Sequence, residues 1–147
     1  MNRKLLITCL IFVAAAWLLA LMPGCGGSES NPQEEQLKAL TATWTLNSVT
    51  NDGTDVSSQY SGFSLNANAE KTYSTINGGN AWPANGTFDF ADDSTTDRLL
   101  RDDGVVISIL SLTDTSLELN FSVSTVRGEA NGSAGITGNF TFNLQKQ

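Results

Sequence analysis

Ser116-Leu117-Glu118-Leu119-Asn120-Phe121-Ser122-Val123-Ser124 alternates polar and apolar side chains without a break. A period of two places Leu117, Leu119, Phe121 and Val123 on one face of an extended strand and the polar set on the other. The end of the chain repeats the pattern, with Ile136, Phe140, Phe142 and Leu144 set against Thr137, Asn139, Thr141 and Asn143. Upstream, the pairs Trp44 and Leu46, Phe63 and Leu65, and Phe88 and Phe90 are each spaced by two. Val105 to Leu112 is apolar on both faces, and its Val and Ile content favours a central strand over a buried helix.

Turn sequences separate these runs: Asn51-Asp52-Gly53, Asn77-Gly78-Gly79-Asn80, Asn85-Gly86, Asp102-Asp103-Gly104, Thr113-Asp114-Thr115 and Asn131-Gly132. Asn-Gly and Asp-Gly suit the positive φ of tight hairpin turns. The spacing predicts eight strands, over 43–50, 61–68, 71–76, 84–91, 97–102, 104–112, 115–126 and 134–145. Hairpin-linked strands bury their edges by closing on themselves, which predicts an all-β, up-and-down antiparallel barrel; an open sandwich is the alternative. Gln33 to Leu40 can form a short helix with Leu37 and Leu40 on one face, placed to plug or cap the barrel.

The N-terminus has a different character. Asn2-Arg3-Lys4 is basic, Leu5 to Leu21 is almost wholly apolar, and Met22-Pro23-Gly24 breaks the run before Cys25. That order is a secretory signal peptide, with an uncleaved membrane anchor as the alternative. Leu21-Met22-Pro23-Gly24-Cys25 resembles the lipobox of bacterial lipoproteins, although Met22 and Pro23 depart from its usual small residues. The resemblance implies that Cys25 receives diacylglycerol and palmitate, becomes the first residue of the mature chain, and holds it to the outer membrane. Which face of that membrane carries it is left open. Several acyl chains anchor stably where one does not, because each buried CH₂ contributes about 0.8 kcal/mol.

The expected organisation is therefore a signal peptide at 1–24, the lipidated cysteine with a flexible tether at 25–36, and one barrel domain at 37–147. Removing 24 residues from 147 leaves 123; Arg3 and Lys4 leave with them, so 6 basic residues face 15 acidic ones and the charge moves from −7 to about −9. Nucleic acid is excluded as a partner on that balance. Cys9 also lies in the signal, so packing must hold the fold without a disulfide. Ser28-Glu29-Ser30 resembles the acidic signal after the lipidated cysteine of surface-bound lipoproteins in Bacteroidota, but a solvated spacer explains it equally well.

With no histidine in the chain, Ser-His-Asp and Cys-His catalysis and the usual zinc sites are excluded. Asp92-Asp93 and Asp102-Asp103 fall at expected turns, where carboxylates serve local hydrogen bonds. Asp52 and Asp55, or Asp92, Asp93 and Asp97, offer calcium oxygens, but turn chemistry explains them better and no twelve-residue loop surrounds them. Asp93-Ser94-Thr95 matches a loose bacterial O-glycosylation pattern, one frequent by chance in a Ser/Thr-rich chain. Arg98 and Arg101 are expected to pair with Asp97 or Asp102 on the surface of a short charged strand. The reading is a non-enzyme without catalytic residues, metal or cofactor.

The run Leu40-Thr41-Ala42-Thr43-Trp44-Thr45-Leu46, with Trp82-Pro83-Ala84-Asn85-Gly86-Thr87-Phe88 and Gly138-Asn139-Phe140-Thr141-Phe142, is similar to the small lipocalin-like lipoproteins of Bacteroidota. Thr43 or Ala42 stands where their opening Gly-x-Trp has glycine. The resemblance spans about residues 40–147 and implies a barrel that binds or carries a small apolar molecule; it supplies no catalytic residue. The alternative is a filled barrel, an interaction or structural module that meets an envelope protein or glycan through loops 51–60 and 77–83. Trp44 reads as a core residue closing the barrel floor. Trp82 reads as a loop residue that folds back onto the rim or meets a partner, with Tyr60 and Phe63 beside the same opening. These four aromatics are the candidate ligand site.

Overall fold

The computed structural model describes residues 31–124 and 137–147. Cys25, the signal peptide, the Asn131-Gly132 turn, Ile136 and the facing ends of the last two expected strands lie outside the described residues. The rest is one closed antiparallel sheet preceded by a helix.

Helix α1 spans Pro32–Leu40. Asn31 caps it, its side chain accepting from the Gln33 amide at 3.0 Å, with Pro32 at the first helical position. Glu34 and Glu35 in the first turn and Lys38 in the last complement the helix dipole. The helix expected over Gln33–Leu40 is thus present and begins at Pro32, so it takes in residues 32–36, which the domain division places in the tether. Gln33 also donates to the backbone oxygens of Asp92 and Thr95, both at 2.8 Å, which ties the helix to the 91–97 connection.

The strands are β1 (Ala42–Asn51), β2 (Thr54–Asp55), β3 (Ser64–Ala67), β4 (Thr72–Ile76), β5 (Asn85–Phe90), β6 (Arg98–Arg101), β7 (Val106–Leu112), β8 (Ser116–Ser124) and β9 (Thr137–Lys146). From β3 onward each pairs with the next, and β9 returns to β1 from Trp44↔Lys146 to Asn51↔Phe140, closing an eight-strand barrel. β2 is a two-residue addition to the end of β1, inside what the sequence presented only as a polar loop. Bulges interrupt β1 near Leu46 and Ser48 and β7 at Leu110, where an extra residue increases local bending.

Alternation decides what fills the barrel. Leu117, Leu119, Phe121 and Val123 from β8 meet Phe140, Phe142 and Leu144 from β9 inside, all buried. Phe63, Leu65, Ala67, Tyr73, Phe88, Phe90, Leu99, Ile107 and Ile109 complete the same core. β7 differs from its expected two-sided burial: Ile107 and Ile109 point inward, but Val106 and Leu110 are exposed on the outer face. The outer side of a barrel strand meets solvent unless another layer covers it, whatever the hydropathy of its residues. Among the described residues, no helix is long and apolar enough to cross a membrane.

Candidate functional site

The two barrel ends are built differently. At the end where β1 begins, α1 closes the floor: Leu40 is buried, and Trp44, wholly buried, donates its indole N–H to the Leu40 carbonyl at 2.9 Å. Lys146 sits 5.8 Å from the Trp44 ring. Trp44 is therefore the core residue its position suggested, at the opposite end from the other three candidates.

Those three meet at the far end, beneath the 52–63 and 77–84 connections. Tyr60 ends a short 3₁₀ turn over Ser57–Tyr60, held against β1 by Ser57, whose hydroxyl accepts from the Val49 amide at 2.9 Å. Its ring lies edge-on to Phe142 at 5.3 Å, and Phe63 lies 5.1 Å from the same ring. Trp82 enters from the 77–84 loop and is edge-on to Tyr73, Phe121 and Phe142 at 5.7, 5.2 and 6.1 Å. Tyr60, Phe63 and Trp82 are all at most 4% exposed, so they stopper the opening rather than line it.

The residue that sequence reasoning misplaced is Arg101. Its expected surface pairing with Asp97 or Asp102 does not occur: Arg101 is only 3% exposed and pairs with Asp103 through both Nε and Nη2. Its Nη1 donates to the Ala81 carbonyl at 3.0 Å, and its guanidinium lies 5.0 Å from the Trp82 ring and 5.5 Å from that of Phe121. The alternation of β6 carries the signal that finds it: Leu99 points inward, so Arg101, two residues on, points inward as well. Arg98 is exposed on the outside. Bonding from the Arg101 guanidinium, with help from the Val105 amide, holds the Asp103 carboxyl below the usual range despite partial burial.

Two polar atoms in this cluster have no hydrogen-bond partner among the described residues, the Tyr73 hydroxyl and the Trp82 indole nitrogen. Burial raises the pKa of Tyr73, as it does that of Tyr60. The Tyr73 hydroxyl lies against the β5 backbone at Gly86, where an added Cβ would come within 2.7 Å of it and of the Asp102 carboxylate.

Little space remains inside. One cavity of about 30 Å³ has an apolar wall that includes Leu40, Leu65, Tyr73, Trp82, Leu99 and Leu119. Pockets for small ligands run to roughly 300–1,000 Å³, so this void is about tenfold too small, and an apolar void of that size stays dry. Outside the stopper, a groove of about 360 Å³ runs between Gly79, Asn80 and Pro83 on one side and Val105, Val123 and Ser124 on the other, with Trp82, Arg101 and Asp103 at its base.

The acidic candidates resolve into turn chemistry. One Asp92 oxygen accepts from the Ser94 amide, the Ser94 hydroxyl and the Thr95 amide, and one Asp55 oxygen accepts from the Ser57 amide and hydroxyl. Asp52 accepts from the Asn139 amide at 3.1 Å, which joins the first turn to β9. Among the described residues, no three Asp, Glu, His or Cys side chains gather around a common point as a metal would require. No protein-family model, curated protein or solved structure matches the chain.

Proposed function

We propose that this is a lipid-anchored, non-catalytic module of the cell envelope, whose barrel holds no ligand at rest and whose loop end meets a partner protein. The observation that carries this reading is the filled interior, in which Phe63, Trp82, Phe121, Phe140 and Phe142 occupy the volume that an apolar cargo would need. Cys25 anchors the N-terminal side through its acyl chains. From Cys25 to Asn31 the chain spans at most about 20 Å, so the α1 end lies near the membrane and the 52–63 and 77–84 loops lie away from it.

A protein partner suits this surface better than a glycan. Every aromatic ring among the described residues is buried, which leaves none to stack on a sugar. Ile76, Leu100 and Val106 are instead exposed aliphatics on the outer wall near the loop end. Fatty acid binding separates this reading from carriage of an apolar molecule. Titration with palmitate should leave the emission of Trp44 and Trp82 unchanged, whereas a saturable shift would restore the carrier.

A further inference from the structure

We propose that the 77–84 loop is a removable plug, and that the space filled by the Trp82 indole is a latent binding site for a small, uncharged aromatic molecule bearing a carbonyl oxygen. Trp82, like Tyr60 and Phe63 at the neighbouring connection, is supplied to the inner aromatic cluster by a loop and not by a barrel strand. Withdrawing residues 77–83 leaves the β4–β5 pairing, and the Thr75 amide to Ala84 carbonyl bond that extends it, in place.

The indole also fits its place incompletely. Both its N–H and the adjacent Tyr73 hydroxyl are buried without partners among the described residues, in side chains of residues 4% exposed. In water each would be hydrogen-bonded, so outward movement of the loop relieves both at once. Among the described residues, the polar contacts that hold the loop to the rest of the barrel are Arg101 Nη1 to the Ala81 carbonyl, Thr75 Oγ1 to the Pro83 carbonyl at 2.8 Å, Asn77 Nδ2 to the Ser61 carbonyl at 3.0 Å and, at its end, the Thr75 amide to the Ala84 carbonyl at 2.8 Å. Asn77 and Gly79 have left-handed backbone angles at its start.

The vacated site specifies its occupant. A flat ring would take the indole's position among Tyr73, Phe121 and Phe142, below the Arg101 guanidinium. Arg101 Nη1, released from the Ala81 carbonyl, would then donate to an oxygen of the ligand, with the Tyr73 hydroxyl as a second donor. Asp103 already balances the charge of Arg101, so a carboxylate would bring an uncompensated negative charge into the barrel. An amide-like carbonyl, chemically the same as the Ala81 oxygen it replaces, brings none.

Gly78 offers a way to release the plug without touching the site. A Cβ there would stand 2.6 Å from the Trp82 carbonyl oxygen, 2.7 Å from the Trp82 Cβ and 2.9 Å from Thr75 Oγ1, so Gly78→Ala must displace Trp82 from its present seat. Indole-3-acetamide is titrated into wild type and Gly78→Ala by NMR, with indole-3-acetate alongside. Binding of the amide should be about tenfold tighter in the variant, because the competent state is no longer rare, and the acid should bind about tenfold more weakly than the amide. A folded Gly78→Ala that binds neither compound, or binds both alike, overturns the assignment. Should Gly78→Ala fail to fold, hydrogen exchange on wild type decides. The Trp82 amide, bonded to the Gly78 carbonyl at 3.1 Å, should exchange about 100-fold faster than the Phe121 amide in β8. Equal protection would mean that the loop leaves only on global unfolding, and the plug would be refuted.

Discussion

Replacing Phe142 by Ala tests how tightly the interior is filled. Phe142 has no exposed surface and lies within 5.1–6.3 Å of the rings of Tyr60, Phe63, Trp82, Phe121 and Phe140. Burial of an aromatic side chain removes at least about 150 Å² from water, or about 4 kcal/mol at 25 cal/mol per Å². Phe→Ala substitutions in packed cores cost about 3–5 kcal/mol, with the larger values where neighbours cannot collapse into the space. Rings supplied by β8, β9 and two loops have little freedom to do so, which places Phe142→Ala near 4–5 kcal/mol. At roughly 4 °C per kcal/mol for a domain of this size, Tm should fall by roughly 15–20 °C. Thermal unfolding followed by far-ultraviolet circular dichroism measures it, with the exposed Leu110→Ala as a control that should change stability by no more than about 0.5 kcal/mol. A loss for Phe142→Ala below about 2 kcal/mol would refute the packed interior.

The buried ion pair makes an asymmetric prediction. Asp103→Asn leaves the Arg101 charge uncompensated inside the barrel and should cost about 3–5 kcal/mol, whereas Arg101→Met leaves a carboxylate that water can reach and should cost less, about 2 kcal/mol; urea unfolding that ranks them the other way contradicts the described burial. Tyr60 and Tyr73, the only tyrosines, have raised pKa values, so the stabilisation linked to their neutral forms is complete below the unfolded value near 10 and is lost as pH rises through the folded one. Tyrosinate absorbance should therefore appear at higher pH in the native chain than in urea, and coincident curves would contradict it. Cys25→Ser should abolish labelling by palmitate and leave the chain with its signal attached; retained label would place the acyl chains elsewhere.

The barrel was legible because a two-residue period leaves little choice of face. Leu117 to Val123 and Phe140 to Leu144 turned the same sides inward that the alternation assigned them. Short hairpins link β3–β4, β6–β7 and β7–β8 while longer connections join β1–β3, β4–β5 and β5–β6, and periodicity alone could not resolve β2, whose two exposed residues carry no apolar signal. The site was less legible. Trp82, Tyr60 and Phe63 were brought together as expected, but whether a loop aromatic stands out or folds in depends on the room left by distant strands, here the space bounded by Phe121 and Phe142. Arg101 was misread because charge outweighed alternation in its assignment; Asp103, two residues on in the turn, and the Ala81 carbonyl supply the partners that let a guanidinium lie inside. Lone acidic residues were read more safely, since Asp55 and Asp92 bond to residues two or three positions away.

The central claim is that the barrel is filled by its own side chains. Native mass spectrometry of residues 26–147, secreted by the host without a lipid anchor and purified without detergent, tests it most directly when the same sample is also measured denatured. The account predicts one mass in both states. A discrete extra mass that disappears on denaturation would show a resident ligand, and with it an interior that is not the one described.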